Sequence, residues 1–191
     1  PNLLEMGHFE TAEEFIGPLS ESIRPHLTED THLLFSYHGL PVSHVKRIDR
    51  SKAHCQTVEA CCTVKCEANS LCYGRHCNET TMAVVERLGL KPDQWSLSYQ
   101  SRLGPVKWLE PSTTHMVEAL VKKGVKKLAI VAPAFLADGL ETLEELDIGI
   151  REEFMEHGGT ELKVINCLND DEQWVRGLEQ LIAKEFEQAV A

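Results

Sequence analysis

Short apolar segments typical of β-strands alternate along this chain with longer segments in which apolar residues have helical spacing. The strand-like segments are 32–38, 94–100, 126–135 and 161–167. The segments with helical periodicity are 9–24, 76–89, 111–123, 139–157 and 171–189. Such alternation favours an α/β fold in which a parallel four-stranded sheet is covered by helices on both faces. We therefore predict one Rossmann-like domain over residues 1–191.

Residues at the predicted element boundaries agree with this assignment. Gly89 and Gly124 each follow a helical segment, where glycine commonly ends a helix, and Pro111 suits a helix start. The run LAIVAP (128–133) is almost entirely apolar. A strand of this composition is expected at the centre of a sheet, where both of its faces are buried.

The composition excludes several classes of protein. Of 191 residues, 42% are hydrophobic, so the chain can form a core without disulfide bonds. The formal charge of −11 argues against general nucleic-acid binding, which requires Lys and Arg to neutralise phosphates. No stretch resembles a membrane span or a signal peptide. We expect a cytoplasmic protein with reduced thiols, and peripheral contact with the inner membrane stays open.

In parallel sheets, ligands bind beyond the carboxyl ends of the strands. Three loops are predicted at that edge, namely 37–41, 100–104 and 133–139. Neither GxGxxG nor GxxxxGK[ST] occurs in the sequence, so a nucleotide phosphate site is not supported. The edge is therefore expected to bind a different kind of ligand.

Several side chains near this edge suit either catalysis or an ordinary structural role. His38 ends a strand and precedes Gly39, so its imidazole is either a core side chain or a group presented on a defined turn. Glu141 and Glu145 are four residues apart on one helix face, which is either a solvated acidic surface or a row of carboxylates entering a cleft. Trp108 packs either in the core or against a flat ligand.

Three motifs in these loops resemble those of ferrochelatase, the enzyme family that inserts ferrous iron into a porphyrin to make heme. They are FSYHGLP (35–41), QSRLGPVKWLEP (100–111) and FLADGLETLEE (135–145). The resemblance covers about residues 9–187 and corresponds to the C-terminal half of that enzyme. It implies a second, N-terminal lobe as partner and a porphyrin bound between the two lobes.

The resemblance also implies roles for individual residues. His38 and Glu141 would handle the Fe²⁺ substrate and the pyrrole protons, and Glu145 would continue an acidic row that carries protons or metal. Gly139 stands where many members have His or Cys, and Gly149 stands where many have a third acid. These two departures shorten the acidic path expected here.

Four further residues are implied to bind the porphyrin. Trp108 and Phe135 match aromatic residues that line the pocket, and Tyr37 precedes the motif histidine. Arg102 is a candidate partner for a carboxylate of the ligand, or an ordinary surface charge. The nature of the tetrapyrrole, protoporphyrin or coproporphyrin, is not determined by these residues.

Six of the seven cysteines lie within residues 55–77. Clustered cysteines in a reducing compartment favour metal binding over disulfide bonds, but the C-x2-C spacing of common zinc modules is absent. Thiolates suit an iron–sulfur cluster, which takes four ligands. Some ferrochelatases carry a [2Fe–2S] cluster in an internal insert, and residues 50–78, the cysteine-rich segment, resemble that insert.

Six cysteines compete for four ligand positions. We expect Cys55, Cys62, Cys72 and Cys77 to bind the cluster, with Cys61 and Cys66 as reserves. Because adjacent side chains usually point in different directions, only one of Cys61 and Cys62 is expected to bind. Cys167 is expected to be structural, and His54 and His76 are weaker candidates for ligands.

Two alternative functions stay open from the sequence. The chain could be an iron–sulfur module that senses redox state or iron and has no catalysis of its own. It could also belong to a chelatase that inserts another metal, such as cobalt, into a related tetrapyrrole. If the enzyme interpretation is right, the isolated 191-residue chain is expected to be inactive, because it supplies half of the site.

Overall fold

The core of the protein is a four-stranded, fully parallel sheet. The computed structural model describes residues 5–190, with side chains through residue 187. The strands are β1 (Thr31–His38), β2 (Trp95–Gln100), β3 (Lys127–Val131) and β4 (Glu161–Val164). Their order is β2-β1-β3-β4, and every neighbouring pair is parallel. The predicted fold class and strand number are confirmed.

Six α-helices and one π-helix connect and cover the strands in the described part of the chain. The α-helices are α1 (Glu13–Ile23), α2 (Val42–Ile48), α3 (Tyr73–Leu88), α4 (Thr113–Lys122), α5 (Arg151–Glu156) and α6 (Glu172–Val190). The π-helix (Glu141–Ile150) runs directly into α5. No helix within residues 5–190 is both long enough and apolar enough to cross a membrane.

The sheet separates two hydrophobic cores, as expected for a layered α/β domain. On one side, β1 packs against helices α1, α3 and α6, with Phe35, Phe15 and Trp174 among the buried side chains. On the other side, β1 and β3 pack against α4, the π-helix and α5, with Leu34 and Phe154 buried. Successive residues of β1 therefore point to opposite cores, and the strand is buried on both faces.

Helix ends largely follow the sequence. Gly89 ends α3 with φ 67°, a left-handed conformation that glycine adopts without strain. The side chain of Ser112 accepts a hydrogen bond from the backbone N–H of His115 and so caps the start of α4. The predicted boundaries of these two helices differ from the observed ones by three residues or fewer at each end.

Two elements differ from the prediction. Residues 139–157 were predicted as one α-helix, but 141–150 form a π-helix in which Thr142, Leu146 and Ile150 are buried. Apolar spacing of four residues suits either helix type, so periodicity does not distinguish them. Helix α2 was missed because it has only seven residues, of which Val42 and Val45 are buried.

Candidate functional site

The strand order places a crevice between the carboxyl ends of β1 and β3. After β1 the chain continues into α2 and α3 on one face of the sheet, and after β3 it continues into the π-helix on the other. Neighbouring parallel strands whose connections leave to opposite faces create a crevice where ligands commonly bind. His38 ends β1 and lies opposite Gln100 of β2. The predicted edge and the topological crevice therefore coincide.

The imidazole of His38 is fixed in one orientation at this crevice. Its Nδ1 atom lies 2.7 Å from the carbonyl oxygen of Gly39. A carbonyl can only accept a hydrogen bond, so Nδ1 carries the proton and the neutral ring has a free lone pair on Nε2. The ring centroid lies 6.1 Å from that of Phe135, which follows β3. His38 thus presents a basic nitrogen beside an aromatic ring.

The turn after His38 allows no larger residue than glycine. A Cβ atom on Gly39 would lie 2.7 Å from the carbonyl oxygen of Gln100, and 3.4 Å from the Trp108 ring. The backbone N–H of Gly39 donates to that same carbonyl at 2.8 Å. The hydroxyl of Tyr73 donates to the carbonyl oxygen of His38 at 2.8 Å. These contacts hold the histidine from both sides.

Two residues at the end of β2, Gln100 and Ser101, form hydrogen bonds with the π-helix. The side-chain amide of Gln100 donates to the backbone carbonyl of Glu141 at 3.1 Å. Both carboxylate oxygens of Glu145 accept hydrogen bonds from Ser101, one from its backbone N–H and one from its hydroxyl, each at 2.6 Å. The residue Asp138 lies before the helix, where Asn169, Thr142 and the backbone of Cys167 donate to it.

The hydrogen bonds to Asp138 change the pKa of its carboxyl and hold the chain just before the π-helix. Burial raises the pKa of its carboxyl, but the hydrogen bonds from Asn169, the Cys167 backbone and Thr142 outweigh burial and lower the pKa overall. Its oxygens are therefore engaged within the fold. Gln100 and Ser101 were not singled out from the sequence as site residues, although both lie in the second quoted motif.

The four predicted porphyrin-binding residues have different environments. Phe135 and Trp108 both lie at the crevice, since Phe135 neighbours the His38 ring and Trp108 covers Gly39. Arg102 forms an ion pair with Glu110 and donates to the carbonyl of Leu109 at 3.2 Å, so its guanidinium folds onto its own loop. Tyr37 is only 2% exposed.

Tyr37, which is predicted to bind the porphyrin, is largely buried in the structure. Its side chain belongs to the core between the sheet and α3, and its hydroxyl lies 2.9 Å from that of Thr81. The reason is the alternation of β1, in which Tyr37 points to the same core as Phe35. We leave Tyr37 out of the proposed ligand surface.

Four exposed apolar side chains, here called the apolar rim, lie in the two segments that follow β2 and β3. They are Leu103 (81% exposed) and Val106 on the loop after β2, and Leu140 (70% exposed) and Leu143 at the start of the π-helix. The hydrogen bonds between Ser101 and Glu145 hold these two segments together. Apolar side chains grouped on a surface in this way are typical of a site covered by a ligand or another domain.

The cysteine-rich segment begins at a carboxylate that organises its backbone. Asp49 accepts hydrogen bonds from the backbone N–H groups of Ser51, His54 and Cys55, and from the hydroxyl of Ser51. The hydrogen bonds from Ser51, Cys55 and His54 hold the pKa of Asp49 well below its ordinary value. The carboxylate therefore folds the chain into the turn that carries Cys55.

Cys55, Cys61, Cys62 and Cys72 are neighbours in this segment, although within residues 5–190 no three of their sulfurs lie within 4.8 Å of one another. The Sγ atoms of Cys61 and Cys62 are 3.8 Å apart, and the neighbouring thiol of Cys72, followed by burial, raises the pKa of Cys62 well above its ordinary value. Burial, followed by the proximity of Cys72 and Cys61, raises the pKa of Cys55 to about 11. All seven cysteines are free thiols.

The sulfurs of the adjacent cysteines lie close together, and the expectation that only one of the two binds the cluster stays a prediction. The backbone of Ala60 has a positive φ of 52°, and the turn that follows brings the sulfurs of Cys61 and Cys62 to the same side. Both are thus available for one metal centre.

The start of α3 leaves room for the sulfurs of Cys62 and Cys72 and favours the thiolate form of Cys72. The residue Gly74 has no side chain, and a Cβ atom there would lie 3.0 Å from Sγ of Cys62 and 4.0 Å from Sγ of Cys72. The pKa of Cys72 is lowered, first by the neighbouring thiol of Cys62 and then by the backbone N–H groups of Arg75 and Gly74 at the start of α3. A thiolate at a helix N-terminus is a good metal ligand.

The other three cysteines have different surroundings. Cys77 is 3% exposed, its thiol neighbours the hydroxyl of Tyr73, and burial raises its pKa well above the ordinary value. Cys66 lies 3.7 Å from Nε2 of His54. For Cys167, burial and then the charge of Asp138 raise the pKa to about 12.

Comparison with known proteins identifies the family to which the chain is similar. A family model described as ferrochelatase matches residues 1–186. A ferrochelatase of Pseudomonas syringae pv. syringae (strain B728a) is 44% identical over 169 residues, which are 88% of this chain and 50% of that protein. A ferrochelatase of Bdellovibrio bacteriovorus is 46% identical over 154 residues, 81% of this chain and 45% of that protein.

One solved structure is also similar. It is the CbiX protein of Marinobacter aquaeolei VT8, which is 18% identical, with a TM-score of 0.48, and the match covers 83% of this chain and 98% of that one. The chain spans about half the length of the curated relatives it matches. From the family match and the sequence identities, the chain belongs to the ferrochelatase family.

Proposed function

We propose that this chain supplies half of the active site of an enzyme that inserts ferrous iron into a porphyrin. The observation that carries the proposal is the orientation of His38, whose Nδ1 is committed to Gly39 and whose Nε2 is free beside Phe135. The acidic π-helix begins across the same crevice and is tied to the neighbouring strand through Gln100. The base, an aromatic ring and the start of the acidic helix lie at one edge of the sheet, which supports the proposal in a family known by name for this reaction.

The residues suit the chemical steps of metallation. Two pyrrole protons must leave the macrocycle, and Fe²⁺ must lose part of its water shell. An imidazole with a free Nε2 can accept a proton near neutral pH or bind a divalent transition metal. The side chain of Glu141 offers a hard oxygen ligand or a second proton acceptor. We therefore propose that His38 and Glu141 act on the metal and the protons, while Glu145 holds its helix to Ser101.

The apolar part of the crevice suits the flat macrocycle. Phe135, Trp108 and the rim residues Leu103 and Leu140 form a surface on which a porphyrin can pack. We propose that the N-terminal half of the full-length protein covers the other face, because the relatives are about twice as long as this chain. Packing against rigid apolar walls lets remote binding energy offset distortion of the ring.

The test is iron insertion by the full-length protein that contains both halves. His38→Ala is expected to lower kcat by at least about 100-fold, the usual minimum for loss of a general base. His44→Ala is the matched control, because His44 is an exposed histidine on α2 near the same loop. Porphyrin consumption can be followed by fluorescence. Insertion by His38→Ala at the wild-type rate would exclude this role of the imidazole.

We further propose that the cysteine-rich segment holds a [2Fe–2S] cluster. The fit rests on four neighbouring free thiols, on the absent side chain at Gly74 and on the lowered pKa of Cys72. The ligands are proposed to be Cys55, Cys61, Cys62 and Cys72, and Cys61 takes the place of Cys77, whose thiol is buried beside Tyr73. When bound, such a cluster supplies one-electron redox chemistry and a cross-link within the segment.

One hydrogen bond links the end of the cysteine-rich segment to the turn that carries His38. Cys72 precedes Tyr73, and the Tyr73 hydroxyl holds the carbonyl oxygen of His38. Loss of a cluster at Cys72 would therefore disturb the start of α3 next to the histidine turn. This contact favours a structural or redox-sensing role for the cluster over a catalytic one.

Anaerobic purification tests whether the cluster is present. The expected result is a coloured protein with two iron and two sulfide ions per chain and the EPR spectrum of a reduced [2Fe–2S] centre. A colourless protein with one zinc ion per chain would contradict the cluster. Free thiols and a cluster both suit a reducing compartment, so we propose a cytoplasmic location.

A further inference from the structure

A group of three side chains of metal-binding type includes none of the residues proposed above to bind the porphyrin, the Fe²⁺ substrate or the cluster. It consists of His8, Glu10 and His76, whose candidate ligand atoms all lie within 4.8 Å of one another. The Nε2 atom of His76 is 3.4 Å from one carboxylate oxygen of Glu10, and Nδ1 of His8 is 3.9 Å from the other. Across the described part of the chain, no other three such groups converge this closely.

The segment that carries His8 and Glu10 is held firmly against the helix that carries His76. The hydroxyl of Thr80, one turn after His76 on α3, donates to the backbone carbonyl of Glu10 at 2.9 Å. Between the two ligands, the ring of Phe9 packs edge-on against Phe15, with centroids 5.6 Å apart. The three ligand groups are therefore brought together by contacts that do not depend on a metal.

The three side chains have graded access to solvent. The side chain of His76 is 14% exposed and that of Glu10 is 21% exposed, whereas that of His8 is 62% exposed. All three lie on a cavity of about 320 Å³ that also borders Tyr73 and Cys77. An ion can thus enter from solvent past His8 and still contact two ligands that are mostly buried.

We propose that His8, Glu10 and His76 bind one divalent first-row transition ion, such as Zn²⁺, Fe²⁺ or Co²⁺. Two imidazoles and one carboxylate suit these ions, whereas Mg²⁺ and Ca²⁺ prefer oxygen ligands alone. Three protein ligands leave further coordination positions for water or an exchanging ligand. The site therefore suits an ion that can exchange with solvent.

Metal binding requires a change of tautomer at one ligand. Nε2 of His76 lies 2.9 Å from the carbonyl oxygen of Ser70, so in the metal-free protein this nitrogen carries the proton. Binding moves that proton to Nδ1 and exposes the Nε2 lone pair to the ion. The hydrogen bond to Ser70 is lost and a metal–nitrogen bond replaces it, with no net release of a proton from the neutral ring.

Titration of the reduced 191-residue chain with CoCl2 alone tests the site. Cobalt bound to nitrogen and oxygen gives weak visible d–d bands, whereas cobalt bound to cysteine gives intense sulfur-to-metal charge-transfer bands, so the two kinds of site are observed separately. Each of the variants His8→Ala, Glu10→Gln and His76→Ala is expected to bind cobalt more weakly at the nitrogen/oxygen site. The expected loss of affinity is at least roughly 10–100-fold, which is what loss of an outer-sphere partner costs. The charge-transfer bands should not change.

A histidine–glutamate pair elsewhere provides the matched control. Nε2 of His157 also lies 3.4 Å from a carboxylate oxygen of Glu118, but this pair lacks a third ligand within the same distance. His157→Ala should leave the cobalt titration unchanged. Equal titration of wild type and His8→Ala, or a wild-type spectrum with charge-transfer bands alone, would overturn the proposal.

Because His8 is exposed, its substitution should not change the folding of the protein. Its substitution removes a ligand without opening the core, so circular dichroism and thermal unfolding of the metal-free variant should match wild type. The outcome is also independent of iron insertion, because none of the three ligands is assigned to the porphyrin crevice.

Discussion

Both carboxylate oxygens of Glu145 accept hydrogen bonds from Ser101, at 2.6 Å from its backbone N–H and 2.6 Å from its hydroxyl. Ser101 has a positive φ of 63°, which turns its N–H towards the π-helix. A carboxylate engaged on both oxygens is well placed to hold two loops together. It is less suited to pass a proton or a metal ion along a path.

Substitutions of Glu145 distinguish positioning from relay. Glu145→Gln keeps an acceptor for the Ser101 N–H but cannot carry a proton, so positioning predicts that it retains much more iron-insertion activity than Glu145→Ala. A relay predicts that both variants lose activity alike. Glu144→Ala, at an exposed neighbour, should behave as wild type. The measurements are kcat in the full-length protein and urea unfolding of this chain.

The stability of the same variants gives a second readout. Glu145→Ala leaves the N–H of Ser101 without its partner, which is expected to lower the free energy of unfolding by about 1–3 kcal/mol. Glu145→Gln should cost less, because the amide oxygen still accepts. Equal stability of the two variants would argue that these hydrogen bonds contribute little to holding the loops.

The cysteine ligands can be distinguished by single substitutions to serine. If Cys55, Cys61, Cys62 and Cys72 bind the cluster, serine at any one of them should abolish or strongly reduce the iron and sulfide content of anaerobically purified protein. Cys77→Ser should retain the cluster, because that thiol is buried beside Tyr73. A cluster that survives Cys61→Ser and is lost in Cys77→Ser would restore the set expected from the sequence.

The sequence determines the sheet and its functional edge because both depend on pattern and connectivity. Alternating strands and helices imply parallel strands, and parallel strands bring His38, Gln100 and the loop with Phe135 to one edge. Fine geometry depends on tertiary contacts that periodicity does not encode. The π-helix shares its apolar spacing with an α-helix, and the convergence of Cys61 and Cys62 depends on backbone angles in an irregular segment.

Contacts between distant segments were likewise not predictable from spacing. His8 precedes α1 and His76 lies in the first turn of α3, so α1, β1, α2 and most of the cysteine-rich segment separate them along the chain. No local motif joins them. The burial of Tyr37 follows from strand alternation once the register of β1 is known. Sequence reasoning therefore located the edge correctly but not the orientation of each side chain on it.

The packing of α1 on α6 gives a prediction about stability. Gly177 lies in α6, and a Cβ atom there would lie 2.3 Å from the backbone carbonyl oxygen of Glu14 on α1. Gly177→Ala should therefore lower the free energy of unfolding by about 1–3 kcal/mol, the usual cost of overpacking. Helix propensity alone predicts the opposite sign, a gain of up to about 1 kcal/mol.

Chemical denaturation of this chain decides between the two signs. The control Glu179→Ala changes an exposed residue on the same helix and should stay within about 0.5 kcal/mol of wild type. A more stable Gly177→Ala variant would mean that the two helices separate at little cost.

A buried histidine is expected to give the protein a pH dependence that is separate from the proposed metal sites. His32 is 7% exposed, and its Nε2 lies 2.9 Å from the hydroxyl of Ser96. Burial lowers its pKa, and the charge of Lys123 adds to the effect, while Asp93 partly opposes it. The unfolded chain therefore binds a proton at His32 at higher pH than the folded protein does.

Stability is expected to fall as the pH drops below about 6.5, the ordinary pKa of histidine, because protonation of His32 then favours the unfolded chain. Above about pH 7.5 the residue is neutral in both states and contributes no pH dependence. His32→Gln retains a polar partner for Ser96 but cannot be protonated, so its stability should fall less steeply between pH 7 and pH 5. Urea midpoints of both proteins across this range provide the comparison. Parallel pH profiles would show that other groups cause the acid sensitivity.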